Sequence, residues 1–279
     1  MKPSCLAVSA VDCHAHVFTP SLPMVSGRRY TPDYQATVQD YLANLDQFGM
    51  SHGVLVQPSF LGTDNHYLMA AAATVPDRLR AIVVVEPSIT DNELEQLDSQ
   101  GAVGVRLNLI GKSAGDYQSP LWQDFFKRLK ARNWSLQIQC HVDELASFLP
   151  NIIESGVNVV IDHFGRPTDG INPDNPLHHA FLAQLSSPQL WVKLSASYRN
   201  DPALSPSERL QRAKQMHALL RSAMGGSGRF LWGSDWPHTQ FEDQTSYQEQ
   251  YQAMDALLSN TAEKKQVLVD NPKALFQLA

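Results

Sequence analysis

Two histidines separated by a single residue, His14 and His16, lie in a short apolar stretch at residues 11–18. The stretch predicts a buried strand. Because side chains alternate along a strand, both imidazoles should lie on one face, together with Asp12. Two neutral imidazoles on one face can hold a divalent cation or an oxyanion. The alternative is a pair of core histidines bonded to the backbone, so this pattern alone leaves both interpretations open.

Polar side chains recur where later apolar stretches end. Arg106 and Asn108 fall at the end of the fourth predicted strand, and His141 ends the fifth. His163 lies at the end of the sixth, and Asp235 lies at the end of the eighth. A single polar residue at a strand end often caps a backbone group. Four strands that each carry such a residue at the same end are harder to explain by chance, so the set predicts one site.

The elements that must position these residues follow a repeated strand-then-helix order. The predicted strands lie at residues 11–18, 52–59, 79–87, 103–109, 135–142, 158–164, 190–197 and 229–236. Eight such units predict a (β/α)8 TIM barrel, with residues 1–279 as a single domain. An open doubly wound sheet is the alternative, but the glycine-rich phosphate turn typical of it is absent from the sequence. The loop at residues 19–31 is expected to cover the barrel mouth.

Composition limits the partners of the protein. The 279 residues carry a formal net charge of -6 without a basic run, which argues against nucleic acid and anionic membrane as partners. An anionic substrate remains compatible, because a few arginines can reverse the potential inside a pocket. The sequence does not indicate the oligomeric state.

The cysteines and apolar runs predict the compartment. Cys5, Cys13 and Cys140 are too few for a disulfide framework, which favours a reducing cytoplasm. Cys13 and Cys140 are expected to pack under helices. The apolar run at residues 6–11 is too short for a secretory signal, and no stretch is long enough to cross a bilayer.

Four segments carry a resemblance that covers nearly the whole chain. They are Val-Asp-Cys-His-Ala-His-Val-Phe at residues 11–18, Gly-Val-Arg-Leu-Asn at 104–108, Ile-Asp-His-Phe-Gly-Arg-Pro at 161–167, and Leu-Trp-Gly-Ser-Asp-Trp-Pro-His at 231–238. With His141, they resemble the amidohydrolase superfamily, and more closely its lactonase subgroup typified by 2-pyrone-4,6-dicarboxylate hydrolase. The resemblance implies a catalytic set of Asp235, His14, His16, His141 and His163.

The residue at the end of the fourth strand departs from the binuclear members of that superfamily. They place a carboxylated lysine or a glutamate there to bridge two metals, whereas this chain has Arg106, which has no lone pair to give. One zinc ion on His14, His16 and Asp235, with His141 as a further ligand, stays open. The resembling lactonases work without a metal, and Arg106 would repel a cation, so the cofactor expectation is none or one divalent ion.

The reaction that this set favours is the hydrolysis of a small lactone bearing carboxylates, such as a pyrone dicarboxylate or a sugar-acid lactone. Asp235 would take a proton from water, and the histidines would stabilise the carbonyl oxygen. Two other functions stay open: a zinc-dependent decarboxylase of an aromatic or muconate-type acid, and a barrel that binds small carboxylates without turnover.

Side chains around the reacting groups are expected to bind the substrate. Arg106 and Arg199 are candidate clamps for carboxylates, because a guanidinium binds them bidentately. Arg166 and Lys193 are weaker candidates. The predicted substrate-binding side chains are completed by Tyr30, Ser59 and Asn108. Asp162 is expected to point away from His163, and His238 is expected to play a structural role.

Overall fold

Eight parallel strands follow one another around a single sheet in chain order, in a computed structural model that describes residues 6–278. The strands are β1 (Val11–Ala15), β2 (His52–Val56), β3 (Leu79–Val83), β4 (Ala102–Asn108), β5 (Ser135–Gln139), β6 (Asn158–Ile161), β7 (Leu190–Ser195) and β8 (Phe230–Gly233). The sheet closes where Ala15 bridges Trp236 in parallel and where Asp235 N–H donates to the His14 carbonyl at 2.8 Å. The predicted (β/α)8 TIM barrel is therefore confirmed.

Helices alternate with these strands. They are α1 (Val38–Gln47), α2 (His66–Ala73), α3 (Asp91–Ser99), α4 (Pro120–Ala131), α5 (Val142–Ile153), α6 (Pro176–Gln184), α7 (Pro206–Met224), α8 (Tyr247–Leu257), α9 (Thr261–Lys265) and α10 (Asn271–Leu275). Local sequence explains several ends. The Ser205 and Glu208 side chains form a capping box at the start of α7, and Gly225, with φ of 71°, ends that helix in the left-handed conformation.

Two apolar clusters pack against the sheet on its two sides. The larger one fills the layer between the strands and the helices, and it includes Cys140 as predicted. The smaller one joins residues of strands on opposite sides of the barrel, such as Val54, Val160 and Leu231, so it must fill the barrel interior. Phe276 belongs to this interior cluster, and the segment after α10 therefore packs beneath the strands.

A register shift in β1 overturns two expectations for that strand. Asp12 pairs with Gly53 but Ala15 pairs with Leu55, so one residue bulges between them and the strict alternation of side chains is lost. Asp12 does not join the histidines; its carboxylate accepts hydrogen bonds from the Ser234 backbone N–H (2.8 Å) and hydroxyl (2.6 Å). Cys13 packs in the interior cluster and not under a helix.

The two cysteines within residues 6–278, Cys13 and Cys140, are free and buried, and Cys5 lies outside the described residues. In that same part of the chain, no helix combines the length and the apolar character needed to cross a membrane.

Candidate active site

Three imidazoles and one carboxylate meet at the carboxyl end of the barrel, and we call His14, His16, His163 and Asp235 the inner group. The Nε2 atoms of His14, His16 and His163 lie 3.6, 3.7 and 3.9 Å from one atom, the Oδ1 of Asp235. All four side chains are buried. The Oδ1 atom has no hydrogen-bond partner among the described residues, so it is free to accept a proton or a hydrogen bond from a small molecule between the rings.

Backbone geometry and two donors hold the Asp235 carboxylate in place. Asp235 follows β8 with φ of 60°, a left-handed conformation that turns its side chain across the mouth. Its Oδ2 accepts hydrogen bonds from the Tyr198 hydroxyl and from Arg199 Nε. Burial acts to raise the pKa of Asp235, but Arg199 and the three imidazoles outweigh it and hold this pKa well below its usual range. Asp235 is therefore ionised at neutral pH.

The imidazoles of the inner group are neutral, each anchored on the ring atom that faces away from Asp235. His16 donates its Nδ1 proton to the Val56 carbonyl at 2.7 Å, and His163 Nδ1 lies 2.8 Å from the Ser195 hydroxyl. Burial first, and the charge of Lys193 beside His14 or of Arg106 beside His16 second, lower the pKa of both rings to about 3. The rings therefore offer hydrogen-bonding nitrogens and not positive charge.

A buried ionic layer lies directly beneath the inner group. Asp162 Oδ1 is 2.9 Å from Lys193 Nζ and 3.5 Å from His14 Nδ1, and Asp162 Oδ2 is 3.7 Å from Arg106 Nε. The expectation that Asp162 points away from the site is wrong. Val160 on β6 faces the barrel interior, so alternation brings Asp162 to the inward side as well, and His163 reaches the mouth only through a left-handed turn with φ of 54°.

A cavity opens above the inner group. Four of its lining residues, which we call the rim group, come from loops and one strand end: Arg29, Tyr30, Ser59 and Asn108. The three predicted members are thus brought together at the cavity, and Arg29 was not predicted. Arg29 contacts Asn108 at 3.4 Å through NH2 and Oδ1.

Arginines give the cavity a positive potential in an acidic protein. Arg29, Arg106 and Arg199 line it, against the single carboxylate of Asp235. Burial lowers the pKa of Arg29, and the Arg199 charge lowers it further, so the two guanidinium groups repel each other. An anion bound between them would relieve that repulsion.

Arg106 and Arg199, the two predicted clamps, are both partly committed to the protein. Arg106 donates from NH1 to the Gln57 carbonyl at 3.2 Å and from NH2 to Gln139. Arg199 donates from NH1 and NH2 to Thr239 and from Nε to Asp235. Each terminal nitrogen carries a second N–H, which leaves both side chains able to bind a ligand.

Glu242, on the loop after β8, forms hydrogen bonds that hold the loop carrying Arg29 in place. The hydroxyls of Tyr30 and Tyr34 both donate to Glu242 Oε1, at 2.5 and 2.7 Å. Burial acts to raise the pKa of Glu242, but these two hydrogen bonds lower it below its usual value. The loop is therefore held over the mouth, as its position in the sequence predicts.

His141 lies apart from the inner group, contrary to the expectation. Strand β5 ends at Gln139, and the chain then turns so that His141 is the N-terminal cap residue of α5, with Nδ1 3.1 Å from the Arg166 carbonyl. The cavity is lined instead by Gln139. Arg166 does not line it either. His238 lies behind the site, with Nδ1 3.2 Å from the Tyr198 hydroxyl, as its predicted structural role requires.

Three contributing residues escaped the sequence analysis: Arg29, Gln139 and Tyr198. Arg29 stands in a loop that was expected to cover the mouth, beside the predicted Tyr30, so charge within that loop was a usable signal. Tyr198 directly precedes the predicted Arg199, but it lies in the 3₁₀ turn Ser197–Arg199 after β7, where strand alternation no longer indicates direction. Gln139 was hidden because β5 was predicted to extend to residue 142.

The donor atoms also outline a candidate metal centre. One ligand atom from each of His14, His163 and Asp235 lies within 4.8 Å of the other two. The predicted set had His16 in place of His163; His16 Nε2 is also close, at 3.2 Å from His14 Nε2.

Comparison with known proteins adds independent information. The amidohydrolase family model matches residues 11–278. The chain is 30% identical over 278 residues to a 2-pyrone-4,6-dicarboxylate hydrolase from Comamonas testosteroni, which covers 97% of this chain and 91% of that enzyme. It is 28% identical over 276 residues to a 4-sulfomuconolactone hydrolase from Hydrogenophaga intermedia, covering 95% and 88%.

A solved structure shows the same architecture at higher identity. A probable 2-pyrone-4,6-dicarboxylic acid hydrolase from Acinetobacter baumannii, with citric acid bound, superposes with a TM-score of 0.91 at 39% sequence identity. The match covers 96% of this chain and 99% of that one.

Proposed function

This chain belongs to the amidohydrolase family, and from that membership we propose that it hydrolyses a small lactone bearing carboxylate groups. One observation carries the proposal: the free Asp235 Oδ1 faces three neutral imidazoles, while its other oxygen is fixed by Tyr198 and Arg199. A carboxylate so oriented is a general base, and neutral imidazoles are donors that can be placed before charge develops.

The reaction begins with water held against Asp235 Oδ1. Asp235 takes one proton from that water, and the resulting hydroxide adds to the lactone carbonyl carbon. The tetrahedral intermediate then breaks the ring carbon–oxygen bond, and the departing oxygen receives the proton that Asp235 holds. The products are a carboxylic acid, which ionises at neutral pH, and a hydroxyl group on the opened ring.

Developing charge on the carbonyl oxygen needs donors at short range. The Nε2 atoms of His14 and His163 are the nearest candidates, because His16 gives its ring proton to the Val56 carbonyl and keeps a lone pair on Nε2. The depressed pKa of His14 keeps its ring neutral at pH 7. Donors fixed in a water-poor cavity stabilise an oxyanion far better than mobile water does, because they need no reorganisation.

The substrate carboxylates bind to the arginines of the cavity. Arg29 and Arg106 approach from the rim and from β4, and Arg199 serves both Asp235 and the cavity. The 39% identical relative with citric acid, a tricarboxylate, supports an anionic ligand of this size. The two hydrolases that are 28% and 30% identical to this chain act, by name, on a sulfomuconolactone and on a pyrone dicarboxylate, both of which are anionic lactones.

We propose that the reaction needs no resident metal. Two imidazoles and a carboxylate would suit zinc by type. However, the Lys193 amine lies 2.9 Å from the His14 ring, and the Arg106 charge already acts on His16. Two fixed cations beside the ligand atoms oppose a third, so the residues present do not fit a zinc ion.

The direct test is a panel of lactones assayed by proton release: 2-pyrone-4,6-dicarboxylate, a pyrone monocarboxylate, a sugar-acid lactone and a neutral lactone. We expect hydrolysis of the anionic members, unchanged after treatment with a chelator and unaffected by added zinc. The neutral lactone should react slowest because it gains nothing from the arginines.

Other outcomes would support the competing functions. Release of carbon dioxide from an aromatic or muconate-type acid, lost on chelation, would identify the zinc-dependent decarboxylase. Tight binding of dicarboxylates without turnover of any lactone would identify a binding protein. We also propose a cytoplasmic location from the sparse free cysteines, which cell fractionation would test.

A further inference from the structure

Lys193 is a buried lysine whose surroundings define a proton position. It lies on β7 with its side chain fully buried beneath the inner group. Its Nζ donates to Gln137 Oε1 at 2.8 Å, forms an ion pair with Asp162 Oδ1 at 2.9 Å, and lies 2.9 Å from His14 Nδ1. The Asp162 carboxylate places a negative charge directly beside the amine.

Hydrogen-bond chemistry then fixes the His14 ring. An ammonium group donates three hydrogen bonds and accepts none, so His14 Nδ1 must be the acceptor in its contact with Lys193. A neutral imidazole carries one proton, and with Nδ1 as acceptor this proton is on Nε2. The pKa of His14, lowered to about 3 by burial first and Lys193 second, is consistent with a neutral ring.

His16 has the complementary arrangement. Its Nδ1 lies 2.7 Å from the Val56 carbonyl, and a carbonyl can only accept, so the single ring proton is on Nδ1 and the lone pair on Nε2. The two Nε2 atoms are 3.2 Å apart. The His14 proton therefore points at the His16 lone pair, and the pair holds one donor and one acceptor where two metal ligands would need two lone pairs.

We propose that Lys193 is a positioning residue that fixes the His14 proton on Nε2, so that His14 acts as a hydrogen-bond donor in the site and not as a metal ligand. The part that concerns the donor's role in turnover rests on the proposed lactone hydrolysis. The proton position itself does not, so the two can fail separately.

The first experiment reads the ring protons directly. Two-bond nitrogen–proton correlation spectra of ¹⁵N-histidine-labelled protein distinguish the two tautomers, and His14→Gln assigns the His14 signals. In the unmodified protein we expect His14 protonated on Nε2 and His16 on Nδ1. A His14 ring protonated on Nδ1 would overturn the inference, whatever the enzyme hydrolyses.

Substitution tests the cause. Lys193→Met removes the donor at similar length, and His14 should then move its proton to Nδ1, which faces the Asp162 carboxylate at 3.5 Å. The double variant Lys193→Met/Asp162→Asn avoids leaving a buried charge unpaired if the single variant does not fold. Lys127→Met, on the exposed face of α4, is the matched control and should leave every ring unchanged. An unchanged His14 tautomer in both folded Lys193 variants would contradict the role of Lys193.

Metal affinity and kinetics give two further readouts. Calorimetric titration with zinc alone should show at least about a tenfold gain in affinity for Lys193→Met over the Lys127→Met control. The substitution removes one positive charge and leaves a lone pair on His14 Nε2, and both changes favour zinc binding. On a lactone substrate, kcat should fall about 10²-fold with little change in KM, as for loss of an oxyanion donor. A loss confined to KM would instead assign Lys193 to substrate binding and overturn the proposal.

Discussion

The rim group and three of the four inner-group residues, His16, His163 and Asp235, line one cavity, but the two groups are built differently. His14 and Asp235 are 0% and 1% exposed and stand on strands or on the residues directly after them. Arg29 and Tyr30 belong to a loop that is held over the mouth by hydrogen bonds to Glu242. The proposed function assigns the chemical step to the strand ends and the choice of substrate to the loops.

Two residues of the inner group also have strained backbone conformations. In the loop at residues 19–31, the residue with a positive φ is a glycine, which tolerates it. Asp235, His163 and Ala196 have φ of 60°, 54° and 48°, and each follows a different strand. Non-glycine residues in this region cost roughly 1–3 kcal/mol each. The barrel therefore carries strain at three neighbouring strand ends, two of which bear inner-group side chains, whereas the positive φ in the rim loop, 71°, is at Gly27, which has no side chain to strain.

The largest expected effect is on the base of the inner group. Asp235→Asn should lower kcat by about 10⁴-fold, because the amide cannot take the proton from water, whereas KM should change less than about threefold. Proton release on the best lactone measures both constants. Asp64→Asn, an exposed carboxylate, is the control. Near-normal turnover by Asp235→Asn would remove the assignment of the general base.

Acid should destabilise the fold through the buried imidazoles. In the folded protein the pKa of His14 and His16 is about 3, through burial first, whereas an unfolded histidine titrates near 6.5. Between these values the unfolded chain binds more protons, so the free energy of unfolding falls as pH drops, by up to about 1.4 kcal/mol per pH unit for each histidine.

Urea melts between pH 7 and pH 5 measure this slope. His16→Gln should lower the slope by close to one proton, and His66→Gln, at an exposed position, should not. If the unfolding free energy of His16→Gln depends on pH as steeply as that of the unmodified protein, His16 is not a neutral buried ring. The inner group would then not differ from the rim group by having uncharged rings.

A rim arginine should affect binding and not chemistry. Arg29→Met should raise KM for a dicarboxylate lactone by about 10- to 100-fold with kcat nearly unchanged, since a hydrogen bond to a charged group contributes about 1.5–3 kcal/mol. A neutral lactone should be unaffected. Arg80→Met, at the amino end of β3, is the control. A fall in kcat as large as that in kcat/KM would place Arg29 with the inner group.

The smallest effect is expected at the fastening of the rim loop. Glu242→Gln keeps an oxygen for Tyr30 and Tyr34 but removes its charge, which should raise KM about threefold, because charge-assisted hydrogen bonds are roughly twice as strong as neutral ones. Glu95→Gln, on the exposed face of α3, is the comparison. If Glu242→Gln and Glu95→Gln show the same KM, the hydrogen bonds from Tyr30 and Tyr34 to Glu242 do not position the loop for substrate binding.

The sequence was sufficient for the architecture and for most residues of the candidate site. Apolar strands with polar ends predicted the barrel, and His14, His16, His163 and Asp235 do converge. The predicted strands were too long, because the first loop residues after a strand continue its pattern of apolar and polar side chains.

Direction of side chains was the part that the sequence could not supply. A bulge in β1 turned Asp12 away from the histidines. The left-handed turn at His163 brings His163 to the mouth although Asp162, one residue earlier, faces inward with Val160, so alternation counted from His163 gave the wrong side for Asp162. Left-handed turns after strands depend on tertiary contacts and have no local signature at a non-glycine residue. Arg29 lies in an irregular loop and Tyr198 lies in a 3₁₀ turn, so the alternation of side chains along strands gives no indication for either residue.

The seam between Asp12 and Ser234 joins residues 222 positions apart. On a ribosome, β1 is made long before β8, and until β8 follows it the first strand has an open edge and its histidines have no acid. A nascent chain that stops short of Phe230 would therefore be inert and would offer that edge to chaperones or to other nascent chains. Catalytic competence should thus appear in one late step of synthesis and not build up gradually along the chain.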